Sequence, residues 1–145
     1  MHSAQAGILQ TAPQAGRYVL FSMADGTRLA PAEQDASIGR RRADNEELTD
    51  APPSTHVQRT AQDSFESEAF VLRRSMPWVM ATRAGLVFVA FGKSFDAFEA
   101  QLRRMVGLED GITDALFRFS QPLNTAYFWC PPMRGGRLDL RQLGL

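Results

Sequence analysis

Residues 84–91 read AGLVFVAF, a nearly continuous run of apolar and β-branched residues that decides the fold. A run of this length and content is typical of a central strand covered on both faces. After this run the apolar residues follow helical spacing. Ser94 can cap the helix and Gly107 is placed to end it. One face of that helix would carry Phe95, Phe98, Leu102, Met105 and Val106. We therefore expect a sheet with a helix packed against it, and residues 84–91 as its most buried strand.

Three further segments have the aromatic and β-branched content of strands and are flanked by turn residues: 17–24, 68–78 and 125–130. Pro77 should end the second of them. A shorter helix is expected around residues 113–118. Four strands with one long and one short helix predict an α+β domain, and a ferredoxin-like antiparallel sheet with helices on one face fits this order.

The remaining segments lack a helical or strand period. Residues 1–15 predict an irregular tail, which leaves residues 16–145 as one domain. Residues 27–54 are charged and small, so we expect a long surface loop. Such a loop belongs either to a binding site or to a solvated connection.

Composition excludes several classes of partner. Sixteen basic residues balance sixteen acidic ones, so no excess positive charge would attract nucleic acid or an anionic membrane. The lone Cys130 cannot form an internal disulfide, and the first residues lack the features of an export signal. The longest apolar run, residues 86–91, is far shorter than a membrane-spanning helix. We therefore expect a cytoplasmic protein.

Histidine is the informative residue type for chemistry. The chain has only two, and His2 lies in the expected tail, which leaves His56. One cysteine and one usable histidine cannot build a structural zinc site, and no G-x-S-x-G motif indicates a hydrolase. The GKS at residues 92–94 lacks the spacing of a phosphate loop. A haem needs only one protein ligand and an apolar pocket, which ten phenylalanines and six methionines could supply. From these residues alone, His56 is either a structural histidine or a ligand.

Several short strings occur in a fixed order around His56: SIGR at 37–40, DNEEL at 44–48, STHVQRT at 54–60 and VLRRSMP at 71–77. The order continues with GLVFVAF at 85–91, DALFRF at 114–119 and TAYF at 125–128. Together these strings resemble the C-terminal half of bacterial dye-decolorizing-type peroxidases. The resemblance covers nearly everything from Gly16 onward.

The resemblance implies a role for each of four residues. His56 would be the axial ligand of the iron of haem b, and Asp114 would accept a hydrogen bond from it. Arg73 would face the peroxide and stabilise the negative charge that develops on the departing oxygen. Ser75 falls where the family places a second polar group near the peroxide. As structural alternatives, Arg73 could be a strand-end surface residue and Asp114 an ordinary helix cap.

One family feature is not placed in this sequence. Complete members carry, in the N-terminal half, a G-x-x-D-G motif whose aspartate acts on peroxide. Asp25 lies in a superficially similar string, but it follows the strand that the motif should precede, so we interpret it as a turn residue.

The resemblance implies a haem-dependent peroxidase that uses hydrogen peroxide and a small organic reductant. It would form a homo-oligomer or pair with a missing N-terminal half. There are two alternatives. The first is a non-catalytic haem-binding module or a truncated half that needs a partner chain, and the second is a ferredoxin-like interaction domain without haem.

Overall fold

A four-stranded antiparallel sheet forms the centre of the protein. The structure, a computed structural model, describes residues 29–145 in full and the backbone of residues 14–23. In chain order the strands are β1 (Gln14–Met23), β2 (Leu72–Met80), β3 (Arg83–Gly92) and β4 (Ser120–Cys130). Across the sheet the order is β2-β3-β1-β4, with every neighbouring pair antiparallel. The apolar run of residues 84–91 therefore lies in a central strand, as predicted.

The described residues also form α-helices: α1 (Pro31–Ile38), α2 (His56–Arg59) and α3 (Asp96–Met105). Short 3-10 helices lie at Gln62–Ser64, Ala115–Arg118 and Arg141–Leu143. The ring of Phe98 on α3 lies with Val71 and Ala90 in the buried core, which fixes α3 against the sheet. Helix α2 contacts α3, and α1 contacts α2, so the helices form one layer. The expected α+β fold, a ferredoxin-like sheet with helices on one face, is confirmed.

The two faces of the sheet differ in burial. We call the face that carries Ala90 and packs against α3 the inner face. Successive side chains of a strand alternate, so Val87, Val89 and Phe91 point to the opposite, outer face. All three are half-buried, as are Leu86 and Phe88 of the inner face, whereas Ala90 under α3 is buried. Within the described residues, the outer face of β3 is therefore partly covered.

Phe91 contacts Phe128 of β4 edge-on, with ring centroids 5.9 Å apart, and both rings lie on the outer face. Across β2, Met76 pairs with Val87 and so shares that face. The outer face therefore carries apolar side chains from β2, β3 and β4.

The first strand begins earlier than predicted. Strand β1 starts at Gln14, so Gln14 and Ala15 belong to the sheet and not to an irregular tail. The rest of the predicted tail, residues 1–13, lies outside the described residues, as does the turn at Asp25 and Gly26.

Helix α1 occupies part of the segment expected to be a loop. Pro31 stands at its first turn, where a missing N–H costs nothing, and the Glu33 carboxylate accepts a hydrogen bond from the Ala30 N–H at 2.9 Å. Gly39 ends the helix with a left-handed φ of 93°. The basic residues that follow pair with nearby carboxylates, as Arg41 does with Asp44 at 2.8 Å.

Both edge strands contain a proline. Pro77 lies inside β2 and did not end it, because an edge strand has one side on which no backbone donor is needed. Strand β4 begins at Ser120, before the predicted start, and includes Pro122 where its pairing with β1 shifts register. A small hairpin of β5 (Met133–Arg134) and β6 (Arg137–Leu138) follows the sheet and was not predicted.

Candidate functional site

His56 is the first residue of α2 and is held through its backbone. Its carbonyl accepts hydrogen bonds from the Thr60 N–H at 3.0 Å and the Thr60 hydroxyl at 2.8 Å. The preceding Thr55 is fully buried, and its N–H donates to the Pro52 carbonyl at 2.9 Å. The Ala115 N–H donates to the Ser54 carbonyl at 2.7 Å, which joins this turn to the 3-10 helix Ala115–Arg118. The histidine backbone is therefore fixed from both sides.

The imidazole of His56 is hydrogen-bonded to Asp114. Its Nδ1 lies 2.8 Å from Asp114 Oδ2, and the Asp114 side chain is 0% exposed. The other carboxylate oxygen accepts the Leu116 N–H at 2.8 Å and so caps the 3-10 helix. Asp114 thus combines the two arrangements that the sequence left as alternatives, a helix cap and a partner of His56.

This contact selects the tautomer of His56. An ionised carboxylate only accepts hydrogen bonds, so the proton must be on Nδ1. The neutral imidazole then has its lone pair on Nε2. The His56 side chain is 26% exposed, which leaves part of the ring accessible. The arrangement supplies one oriented basic nitrogen, as a single metal ligand requires.

Arg73 lies on β2 directly opposite Ala90. Directly paired residues of antiparallel strands point to the same face, so Arg73 projects from the inner face, on the side of the helical layer. Burial lowers the pKa of its guanidinium, which nevertheless stays charged near neutral pH. Within the described part of the chain, the guanidinium has no hydrogen bond or ion pair. Among the described residues, Arg73 is thus a half-buried cation without an anionic partner.

Ser75 lies two residues further along β2, opposite Phe88, and shares the inner face. It is exposed, and Phe88 is half-buried at the margin of the core under α3. The structure therefore brings His56 and Asp114 into contact, and it places Arg73 and Ser75 side by side on the sheet face below the helical layer.

The described residues offer no alternative metal centre. Among them, no three His, Cys, Asp or Glu side chains lie close enough to hold a bare metal ion. The helices in the described ranges all lack the length and apolar content of a membrane span.

The family model described as Dyp-type peroxidase, C-terminal, matches residues 13–135, which is most of the chain. This chain belongs to the Dyp-type peroxidase family. The family assignment made from the ordered sequence strings is thereby confirmed.

The curated dye-decolorizing peroxidase of Mycobacterium tuberculosis is 31% identical to this chain over 121 residues. The match covers 79% of this chain and 36% of that protein. A solved structure of a dye-decolorizing protein from V. cholerae has a TM-score of 0.72 at 30% identity, over 82% of this chain and 41% of the other. The chain therefore spans well under half the length of these Dyp-type relatives.

A third relative was solved with a cofactor. It is a DypB variant from Rhodococcus jostii in complex with heme, with a TM-score of 0.75 and 26% identity, over 83% of this chain and 41% of the other. The Dyp-type fold is thus shared with a chain that binds heme.

Two residues of the site were not identified from the sequence. The buried Arg59 of α2 forms a bidentate ion pair with Asp110, with N–O distances of 2.6 and 2.8 Å. The only signal was that Arg59 follows His56 by one helical turn, which says nothing about its partner. Asp110 is separated from it by 51 positions, so spacing could not reveal the contact.

Proposed function

We propose that this chain is the haem-binding half of a Dyp-type peroxidase and that His56 is the axial ligand of haem b through Nε2. The observation that carries the proposal is the 2.8 Å contact between His56 Nδ1 and the buried Asp114. Histidines that ligate a metal generally donate their other N–H to a carboxylate or carbonyl, which fixes the tautomer and raises ligand basicity. The described relative in complex with heme supports the choice of cofactor.

The residues present fit such a group. A haem iron needs one protein nitrogen and an apolar pocket, unlike a bare ion that needs a cluster of ligands. The inner face supplies half-buried apolar side chains at Leu86 and Phe88, and the helical layer supplies the imidazole. When bound, haem supplies the redox chemistry that couples the reduction of hydrogen peroxide to the oxidation of a small organic reductant.

The protein groups act by binding, orientation and charge. Asp114 keeps the His56 proton on Nδ1 and leaves Nε2 as the ligand. Arg73 would face the peroxide from the sheet, where a fixed cation stabilises negative charge that develops as the O–O bond breaks. The hydroxyl of Ser75, on the same face, would donate or accept a hydrogen bond beside it.

We further propose that the outer face of the sheet packs against a second half, on the same polypeptide or on another chain. The chain spans only 36% and 41% of two relatives, and Met76 on this face is 54% exposed. The same incomplete coverage favours a second candidate, a non-catalytic haem-binding module or truncated half that needs a partner chain. Asp25, the one residue that superficially resembles the peroxide-facing aspartate of complete members, lies outside the described residues.

The test is a hemin titration of the purified chain, followed by its visible spectrum. We expect a bound Soret band for the wild type, its loss or shift in His56→Ala, and restoration when free imidazole is added to that variant. His2→Ala is the matched control, because it removes the other histidine. Identical spectra for wild type and His56→Ala would exclude His56 as the ligand.

Peroxide-dependent dye oxidation then separates the two candidate functions. Turnover well above that of free hemin supports a peroxidase. Turnover equal to that of free hemin, with a normal Soret band, supports the binding module.

A further inference from the structure

Helix α2, which carries His56, is too short to hold itself in place. It has four residues, and isolated helices shorter than about 12–15 residues are marginal in water. The direction of the His56 ring must therefore be set by contacts with other elements. The hydrogen bond to Asp114 is one such contact, added to the Ala115–Ser54 backbone bond that joins the same turn, and neither bond involves the last residue of α2.

Arg59 makes a second connection one helical turn after His56. Its side chain is 5% exposed, and both terminal nitrogens bind the Asp110 carboxylate, at 2.6 and 2.8 Å. One of these nitrogens also donates to the Arg104 carbonyl near the end of α3. A bidentate guanidinium–carboxylate pair fixes both distance and orientation, which a lysine or a single hydrogen bond does not.

Asp110 and Asp114 belong to one compact loop. The Gly111 N–H donates to the Gly107 carbonyl at 2.9 Å, and the Asp114 N–H donates to the Met105 carbonyl at 2.8 Å. Asp110 also accepts the Ile112 N–H at 2.9 Å, so its own orientation is fixed. Asp110 and Asp114 therefore keep a constant separation, and each holds one residue of α2.

We propose that the Arg59–Asp110 ion pair positions the proximal histidine, so that together with the His56–Asp114 bond it fixes α2 to the loop at two points and sets the ring orientation. Arg59 and Asp110 are positioning residues, because they act through His56 and not on a ligand. This inference rests on the proposed function, in which His56 ligates haem iron.

The charge state of the pair agrees with this role. The hydrogen bonds from Arg59 lower the pKa of Asp110 to about 2, so the carboxylate is ionised throughout the neutral range. Arg59 is 4% exposed, and a buried cation strongly requires a partner. The pair therefore stays closed under ordinary conditions.

The neighbouring Glu109 provides a matched control. It binds Arg104 of α3 at 2.7 and 3.1 Å and has no hydrogen bond to α2 within the described residues. Asp110 and Glu109 are adjacent, similarly exposed carboxylates, each paired with a partly or fully buried arginine. Only the first connects to the histidine helix.

The experiment compares Asp110→Asn with Glu109→Gln in the hemin-loaded chain. We expect Asp110→Asn to broaden or shift the iron–histidine stretching band in resonance Raman spectra of the ferrous form. Its hemin affinity should fall about tenfold, the lower end of the range known for outer-shell partners of metal ligands. Glu109→Gln should leave the band and the affinity unchanged.

Arg59→Lys provides a second, conservative test that keeps the buried charge but loses the bidentate geometry, and it decides the matter if Asp110→Asn does not fold. An iron–histidine band identical to the wild type in the folded variant overturns the positioning role. If His56 is not the ligand, the result is distinguishable, because His56→Ala then keeps the wild-type iron–histidine band. Equal effects of Asp110→Asn and Glu109→Gln would also overturn the proposal, since they would reflect general loosening of the loop.

Discussion

At the scale of single residues, the Asp114 carboxylate accepts two hydrogen bonds. One oxygen accepts the His56 Nδ1–H and the other accepts the Leu116 N–H, both at 2.8 Å. An asparagine at this position would have one acceptor oxygen and no charge. Asp114→Asn therefore removes one of the two bonds and the negative charge beside the imidazole.

For Asp114→Asn we expect a higher reduction potential of the bound haem, because the imidazole becomes a weaker electron donor. The lost acceptor should also cost about 1–3 kcal/mol of stability. Thr60→Val is the control, since it removes a 2.8 Å hydrogen bond to the His56 carbonyl without changing the ring. Potentiometric titration of the three proteins checks this, and equal potentials for both variants would contradict it.

A substitution at Arg73 can test the role of its positive charge in the reaction with peroxide while haem stays bound. Arg73→Leu should keep the Soret band of His56-bound haem but slow the reaction with peroxide by about 100-fold, a typical loss for one preorganised electrostatic group. The control is Arg74→Leu, because Arg74 is exposed and points to the outer face. Stopped-flow mixing with hydrogen peroxide measures the rate, and equal rates for the two variants would assign Arg73 a structural role only.

The sequence could predict this site only in part. His56 was isolated because the chain has two histidines, but composition left it open as a ligand. Its pairing with Asp114, 58 positions away, came from the family resemblance and not from spacing. The Arg59–Asp110 pair had no such guide, since a long-range ion pair depends on how helix α2 and the loop that carries Asp110 meet in space.

At the scale of elements, the end of α1 packs closely against Thr55 and Val57 at the start of α2. A Cβ at Gly39, which ends α1, would lie 2.4 Å from Thr55 Cγ2. Thr55 immediately precedes His56 and is fully buried, so it cannot move aside freely. The end of α1 is therefore packed directly against the start of the histidine helix.

Gly39→Ala should destabilise the chain by about 2–4 kcal/mol, through a left-handed φ and overpacking together. It should also weaken hemin binding, because relief of the clash displaces Thr55 and His56. Gly136→Ala is the matched control, since it has a φ of +77° but nothing within 4 Å of the added Cβ. Urea denaturation and hemin titration measure both effects. A loss no larger than that of the control would show that the contact relaxes without cost.

The sequence predicts the elements whose apolar residues recur at strand or helix spacing. It does not predict the elements that depend on their place in the folded chain. Strand β3 and helix α3 follow from apolar runs at strand and helix spacing. Helix α1 has a weak apolar pattern, so its Pro31 start and Gly39 stop were the only signals. The sequence predicts a strand end at Pro77, because it does not show that β2 lies at an edge of the sheet.

At the scale of the whole molecule, the outer face of the sheet carries exposed apolar side chains. Met76 and Met80, which lie on it, are 54% and 70% exposed. Contiguous exposed apolar surface favours association. This agrees with the proposed pairing with a second half.

Met76→Lys should weaken that association while leaving the fold intact, because an exposed position tolerates the charge in the free chain. Sedimentation velocity over a range of concentrations measures the effect on self-association of the isolated chain. Leu145→Lys is the control, since Leu145 is 80% exposed at the end of the chain. If Met76→Lys self-associates as the wild type does, the outer face is not the surface through which the isolated chain associates.

The prolines of the edge strands have a consequence for such an open sheet. Pro77 in β2 and Pro122 in β4 each remove one backbone N–H from the two edges. An unbroken row of donors and acceptors at an edge is a template for adding further strands, which leads to amyloid-like growth. Proline interrupts that template on both sides. The sheet can therefore present an apolar face while resisting the edge-to-edge polymerisation that two unbroken edges would promote.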